Sequence, residues 1–288
     1  MKDANPEGAA ARRPPPPPRR SFDWRAAAVP TLISVTSIAL VFGLLGWAIT
    51  SAEHWPRIQK QFFNLDAMVA AWPRVVQGFW INMKIWLIAL ACIALWAMVL
   101  AVVRSLRAPW FAPLRVMVVL YIDLFRGIPA LLLVLLFGFG VPALQLPGLP
   151  NSSLFWGTVA MVLCYSAYVA EIYRSGIEAV HEGQRAAARS LGLTEWQTMV
   201  YAILPQALRN VTPALMNLVV ALQKDVALLS VIGVRDAVRE AQIYTASTFN
   251  YSSLIVAAGL FLLATVPMAR LADYVTARDR ARRLQLAR

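Results

Sequence analysis

This chain is poor in the residues that carry most protein chemistry. It has two cysteines, two histidines and 15 acidic side chains in 288 residues. Cys92 and Cys164 both fall inside apolar runs, so they build no disulfide framework, and buried thiol packing is expected for each. His54 and His181 stand in different loops without a partner ligand close by, which argues against a metal site. No glycine is followed by lysine, so the phosphate-cradling pattern Gly-x-x-x-x-Gly-Lys is missing. No Ser/His/Asp or Cys/His set stands out either. The sequence therefore predicts no catalytic centre, no metal and no cofactor of its own in this chain.

What is present is apolar sequence in long blocks. Hydrophobic residues make up 59% of the chain and charged residues 15%. The blocks run over 26–50, 79–104, 113–137, 154–174, 208–234 and 252–277. A helix needs about 20 residues to cross roughly 30 Å of hydrocarbon, and each block is long enough. Inside lipid every backbone group must bond within its own segment, so helices are the reading. The fold class expected is an all-α integral membrane bundle of six spans. The core is residues 79–277, five of those spans, and the first span is an N-terminal addition.

The net charge of +12 forms no basic face interleaved with aromatics, so nucleic acid is not an expected partner. Basic residues collect instead in the tails and in alternate loops. Residues 1–25 hold Arg12, Arg13, the run Pro14–Pro18, Arg19 and Arg20, which predicts a disordered basic arm. Arg19-Arg20-Ser21-Phe22 superficially matches an export signal, but the apolar run behind it exceeds a signal-peptide core, so a retained span is expected. Residues 51–78 mix Trp55, Phe62, Phe63 and Trp72 with Arg57, Lys60 and Asp66, the composition of an interfacial segment. Arg104, Arg107 and Arg115 flank one link, whereas 138–153 carries no charge. Arg174, Arg185, Arg189 and Arg209 mark the loop at 175–207, and the tail 278–288 is again basic. Positive loops alternate with neutral ones, so the positive-inside rule places both termini and the loop 175–207 in the cytoplasm of a multi-pass inner-membrane protein.

Several charges lie where they are expensive. Asp123 and Arg126 sit in the third block just before Gly127 and Pro129, Lys224 and Asp225 sit in the fifth, Glu171 in the fourth and Lys84 near the outer start of the second. An ionised group at the bilayer centre costs at least about 2.5–3.5 kcal/mol. Asp123, Arg126, Lys224 and Asp225 are therefore expected either to line a polar path for a zwitterion or to pair with one another and lock the bundle.

The loop 175–207 is itself patterned. Glu182 to Ser190 is a short alanine-rich helix, and Gly192 stands where a left-handed cap would sit. Thr194 with Gln197 opens a second helix as a capping box, which Pro205 is expected to end or kink. The product is a rigid knob suited to a groove on another protein.

This Gly183-Gln184-Arg185-Ala186-Ala187-Ala188-Arg189-Ser190-Leu191-Gly192-Leu193 run, with Leu204-Pro205 behind it, resembles the cytoplasmic signature loop of permease subunits of ABC importers. Three further stretches fit the polar amino-acid subfamily: Phe125–Pro129, Ala167–Ile177, and Leu222–Asp225 running into Ser230–Val234. Together they cover roughly 75–277. The resemblance implies a type I importer permease fold, a separate ATPase subunit that holds ATP and Mg, a second permease subunit and an extracytoplasmic binding protein. By the same analogy Glu182, Gly183, Gln184, Ala186, Ala187, Ala188, Gly192 and Pro205 belong to the loop that couples to the ATPase. The chain departs from the family at Ala186, where the usual Glu-Ala-Ala begins with an acid. It departs again at Ile128, in place of a threonine, and at Val226-Ala227, where the subfamily has Thr-Ser. The missing acid raises two possibilities: that Glu182 does part of its work, or that a second, non-identical permease retains it. The function expected is amino-acid import, with an amino-acid derivative as the alternative solute and an ATP-independent secondary transporter as the alternative class.

Overall fold

The structure, a computed structural model, describes residues 24–105 and 109–286. They are helical almost throughout, with no strand among them. Residues 1–23 of the basic arm lie outside the described part. The described residues fall into two compact units, divided after Pro56.

The first unit contains α1 (Trp24–Thr50), with Pro30 in its early turns. From Pro30 onward its mean hydropathy is 2.2 and its side chains are exposed. A helix that is apolar all round, with no polar face, is the form a lipid-facing span takes.

The second unit is organised by two helices, α3 (Leu65–Ser105) and α6 (Ser153–Glu178), on which the others pack. Small residues make the approach close: Ala89 and Ala97 on α3, and Ala160, Ala167 and Ala170 on α6, are buried in one core cluster. In hydrocarbon, where apolar burial drives little association, such residues give helices their van der Waals contact.

α3 is 41 residues long, about 62 Å at helical rise and twice a bilayer core. It begins well before the second block, so the stretch expected to be interfacial, 51–78, is divided. Its first part is a short helix, α2 (Trp55–Phe62), and residues 65–78 continue directly into the span. Lys84, expected near the start of that span, is mid-helix. The projecting part of α3 is packed rather than free. Ala71 and Val75 bury against Ala237, Ala241, Val256 and Leu260 of α9 (Ala237–Thr248) and α10 (Ser252–Leu286). The 237–248 stretch, expected within a loop, is thus a helix. At Gly78 an added methyl would lie 2.6 Å from Ala237 N, so only glycine fits this crossing. Asn82 and Asp236 clamp it. Asn82 Nδ2 donates to Asp236 Oδ2 at 3.0 Å, Ala237 N donates to Asn82 Oδ1 at 3.1 Å, and Asp236 caps α9 through Arg239 N at 2.8 Å. The α2 end is tied down by Tyr251 N donating to Gln61 O at 2.7 Å and by Phe62 stacked on Tyr251.

The third block is not one straight span. α4 (Ala112–Gly127) and α5 (Ala130–Ala143) meet at 101° across Ile128 and Pro129. Ile128 is extended, as the residue before proline prefers, and Pro129 opens α5. The fifth block differs from expectation in the opposite direction. The short helix expected after Thr194 and the span expected from 208 are one element, α8 (Glu195–Ile232), and Pro205 does not end it. A wide π-type stretch, Thr198–Ile203, precedes the proline and absorbs its missing N–H. Lys224 and Asp225, expected deep within a helix, stand where α8 tightens into the 3-10 stretch Val226–Ile232. Among the described residues five helices are long and apolar enough to cross a membrane, six with the bent pair as one span.

Candidate functional site

The residues singled out in the sequence fall in two places. The first is the knob. α7 (Glu182–Ser190) starts at His181, whose Nδ1 accepts from Gly183 N at 3.0 Å. Its far end closes through Gly192 N to Arg189 O at 2.9 Å and Leu193 N to Ala188 O at 3.3 Å, with Gly192 at φ +81°. The capping box forms as the sequence predicts: Gln197 N donates to Thr194 Oγ1 at 3.2 Å and Thr194 N to Gln197 Oε1 at 2.9 Å. Arg189 pairs with Glu195 across the turn, and Ala188 is buried. Beneath, Val180, Ile203 and Ala207 form a small apolar core. The knob is therefore braced from within. Of the residues singled out there, Ala188 points inward, whereas Glu182, Gly183, Gln184, Ala186, Ala187, Gly192 and Pro205 are exposed.

Leu191 was missed by the sequence reading, which treated it as one letter of a motif. It is 82% exposed at the tip of the turn. Between α7 and the start of α8 a cavity of about 410 Å³ is lined by Arg185, Ala186, Arg189, Trp196, Thr198 and Met199 among others. A glutamate at position 186 would reach into this space.

The second constellation surrounds the α4–α5 break. Arg126 lies over the Tyr168 ring at 5.6 Å and 4.0 Å from Glu171 Oε2. Tyr165 and Tyr168 stand one turn apart on α6, ring centres 6.3 Å apart, and the Tyr165 hydroxyl donates to Asp225. Arg126 and Asp225, nearly a hundred positions apart in the chain, thus stand at the two ends of one tyrosine pair. Asp123 and Lys224 are exposed and take no part in it. The four charges do not pair with one another. Glu171 is the hub: it accepts from Arg104 at 2.8 Å and pairs with Arg174, which also holds Glu178. The two tyrosines and the hub role of Glu171 were not read from sequence, although the 3-residue spacing of Tyr165 and Tyr168 puts them on one face. The thiols divide: Cys164 is buried and donates to Phe125 O at 3.6 Å, whereas Cys92, expected to be buried, is exposed on α3.

Residues 108–280 match the family described as binding-protein-dependent transport system inner membrane component. The arginine transport system permease protein ArtQ of Bacillus subtilis is 36% identical over 68% of this chain and 89% of its own length. A probable glutamine ABC transporter permease, GlnM, of the same organism is 33% identical over 75% and 97%. Among solved structures, an amino acid ABC transporter crystallised with histidines superposes with a TM-score of 0.68 at 32% identity, covering 75% of this chain and 98% of its own. Membership of this family implies association with ATPase and substrate-binding components. The chain belongs to the binding-protein-dependent transport inner-membrane family, as a multi-pass permease subunit of an amino-acid ABC importer.

Proposed function

We propose that the knob, Glu182–Gly192, is the handle by which a cytoplasmic ATPase moves the bundle, and that Arg126 and Asp225 face the amino acid as it passes. The observation that carries the first part is the braced turn presenting Leu191. A helix that merely lay on lipid would need no capping box, no Arg189–Glu195 brace and no left-handed glycine. ATP and Mg are then held by the partner, whose closure on nucleotide shifts the permease between inward- and outward-open states. The alternation of positive and neutral loops supports a cytoplasmic knob and cytoplasmic termini.

Arg126 and Asp225 offer opposite charges, as an α-carboxylate and an α-ammonium require, and the tyrosines between them supply hydroxyls and ring faces. Charged and polar amino acids are the solutes that such a pair favours. A substrate-binding protein on the outer side delivers them. Ala186 leaves the coupling face without its acid, which favours pairing with a second, non-identical permease that keeps one. Isolation of an active complex with two copies of this chain and no other permease would overturn that pairing.

The main test uses charge reversal and crosslinking together. Leu191→Cys in the assembled transporter should crosslink to the ATPase, and nucleotide should change the yield. Arg126→Glu should abolish uptake while leaving assembly and ATPase contact intact. A Leu191 crosslink that captures only lipid sinks the handle. An Arg126→Glu bundle that assembles and transports normally removes Arg126 from the path.

A further inference from the structure

Where the ends of α3, α4, α6 and α7 meet, Arg104, Arg115, Arg174 and Arg185 line a pocket of about 280 Å³. Glu178 is its one acidic lining residue. All four arginines are half-buried, unlike ordinary surface cations. The acids that Arg104, Arg174 and Arg185 meet do not exhaust these three. Arg104 and Arg174 share Glu171, Arg174 also meets Glu178, and Arg185 meets Glu182 at 3.5 Å. A guanidinium carries five N–H donors in a planar fork, so pairing with one carboxylate leaves donors for another anion.

The pocket does not end in water on every side. Ala101, Ser105, Ile177 and Met199 also line a narrow apolar cleft of about 50 Å³ that runs on between Met98 and Val102 of α3, Tyr173 of α6 and Leu204 of α8. A basic cup at the ends of membrane helices, continuous with an apolar cleft between those helices, matches a phosphate joined to an acyl chain. Charge alone would fit any anion, and an apolar cleft alone any lipid; the two together select an anionic phospholipid.

We propose that this pocket binds an anionic phospholipid, with the phosphodiester among Arg104, Arg115, Arg174 and Arg185 and the first few carbons of an acyl chain in the mouth of the cleft. Because Arg185 belongs to the knob while the other three belong to the spans, a bound headgroup ties the coupling helix to the bundle. The site is independent of which solute is carried, and failure of the Leu191 crosslink would leave it untouched.

The test measures lipid retention by the full chain, in the complex in which it purifies, by native mass spectrometry from delipidated micelles. Phosphatidylglycerol, phosphatidylcholine, glycerol phosphate and inorganic phosphate are the four probes. Phosphatidylglycerol should be retained and the other three should neither bind nor displace it. Arg115→Gln and Arg185→Gln should each weaken retention about fivefold, the effect of one basic side chain near an anionic lipid surface. The double variant should weaken it about twenty-five-fold, with unchanged helical circular dichroism and elution volume. If the double variant does not fold, Arg115→Gln alone carries the comparison. Equal retention of phosphatidylcholine, displacement by inorganic phosphate, or undiminished retention in a folded variant would each overturn the site.

Discussion

Pro129 and Pro205 each follow a branched apolar residue inside a helical stretch, and the chain treats them in opposite ways. At Ile128-Pro129 the helix turns through 101°. At Leu204-Pro205 it continues, with Leu204 still helical at φ −58° and ψ −42°. Proline has the same local effect in both places, so the neighbours decide. Ahead of Pro205, the wide turn Thr198–Ile203 relieves the clash between the ring and the preceding carbonyl. Ahead of Pro129, the end of α4 finds partners on α6: Phe125 O accepts from Cys164 Sγ at 3.6 Å and Arg126 O from the Tyr168 hydroxyl at 3.4 Å. A break in a membrane helix persists where protein groups satisfy the freed backbone. The break is thus built into the packing of α6, beside the charges proposed to meet the solute.

That contrast can be tested from its strongest support to its weakest. Glu171→Ala should have the largest effect, because it leaves Arg104, Arg126 and Arg174 facing one another without their shared carboxylate. A loss of about 3 kcal/mol is expected, the low end for a broken buried pair because the carboxylate is a fifth exposed. Thermal unfolding of the purified complex measures it. Pro129→Ala should cost about 1 kcal/mol, chiefly by loosening the unfolded chain, and should lower uptake by letting α4 and α5 straighten. Pro205→Ala should stay within about 1 kcal/mol of the parent and keep uptake; if the two substitutions behave alike, the neighbours do not decide. Thr194→Ala should cost about 1 kcal/mol through the lost cap. Hydrogen exchange at the start of α8 should rise without change in the spans.

The smallest effect is electrostatic. Burial raises the Asp236 carboxyl above its ordinary value of 3.8, against opposing hydrogen bonds led by Arg239 N and Asn82. The folded chain therefore holds this proton more tightly than the unfolded one. Stability from this group rises as pH falls from the raised value toward 3.8, and it is flat on either side. Melting curves of the parent and of Asp236→Asn should diverge in that window and run parallel above it. No divergence would mean that the clamp leaves the carboxyl unperturbed.

Much of the fold was legible because a bilayer leaves few choices. Apolar length reports the spans, and Gly192 and Thr194 report the turn because left-handed backbone and an unpaired helix start each favour few residue types. The boundaries were less legible. Helix α3 runs into 65–78 because Ala71 and Val75 bury against α9 and α10, and no hydropathy window sees a partner so distant in sequence. Cys92 and Cys164 look alike in the chain and face different ways, since an apolar helix in lipid gives little sign of which side meets protein.

By itself the sequence determined that this is a membrane bundle with a polar, capped knob on its basic side. Those features follow from rules that act within one segment: backbone bonds must close internally, and turns need particular dihedrals. Tertiary structure alone decided which charges meet. Glu171 gathers Arg104 and Arg126 from two other helices, and Tyr165 reaches Asp225 from a third. Charge attraction depends on distance through space, and several arrangements of the same letters would have neutralised equally well until packing chose one.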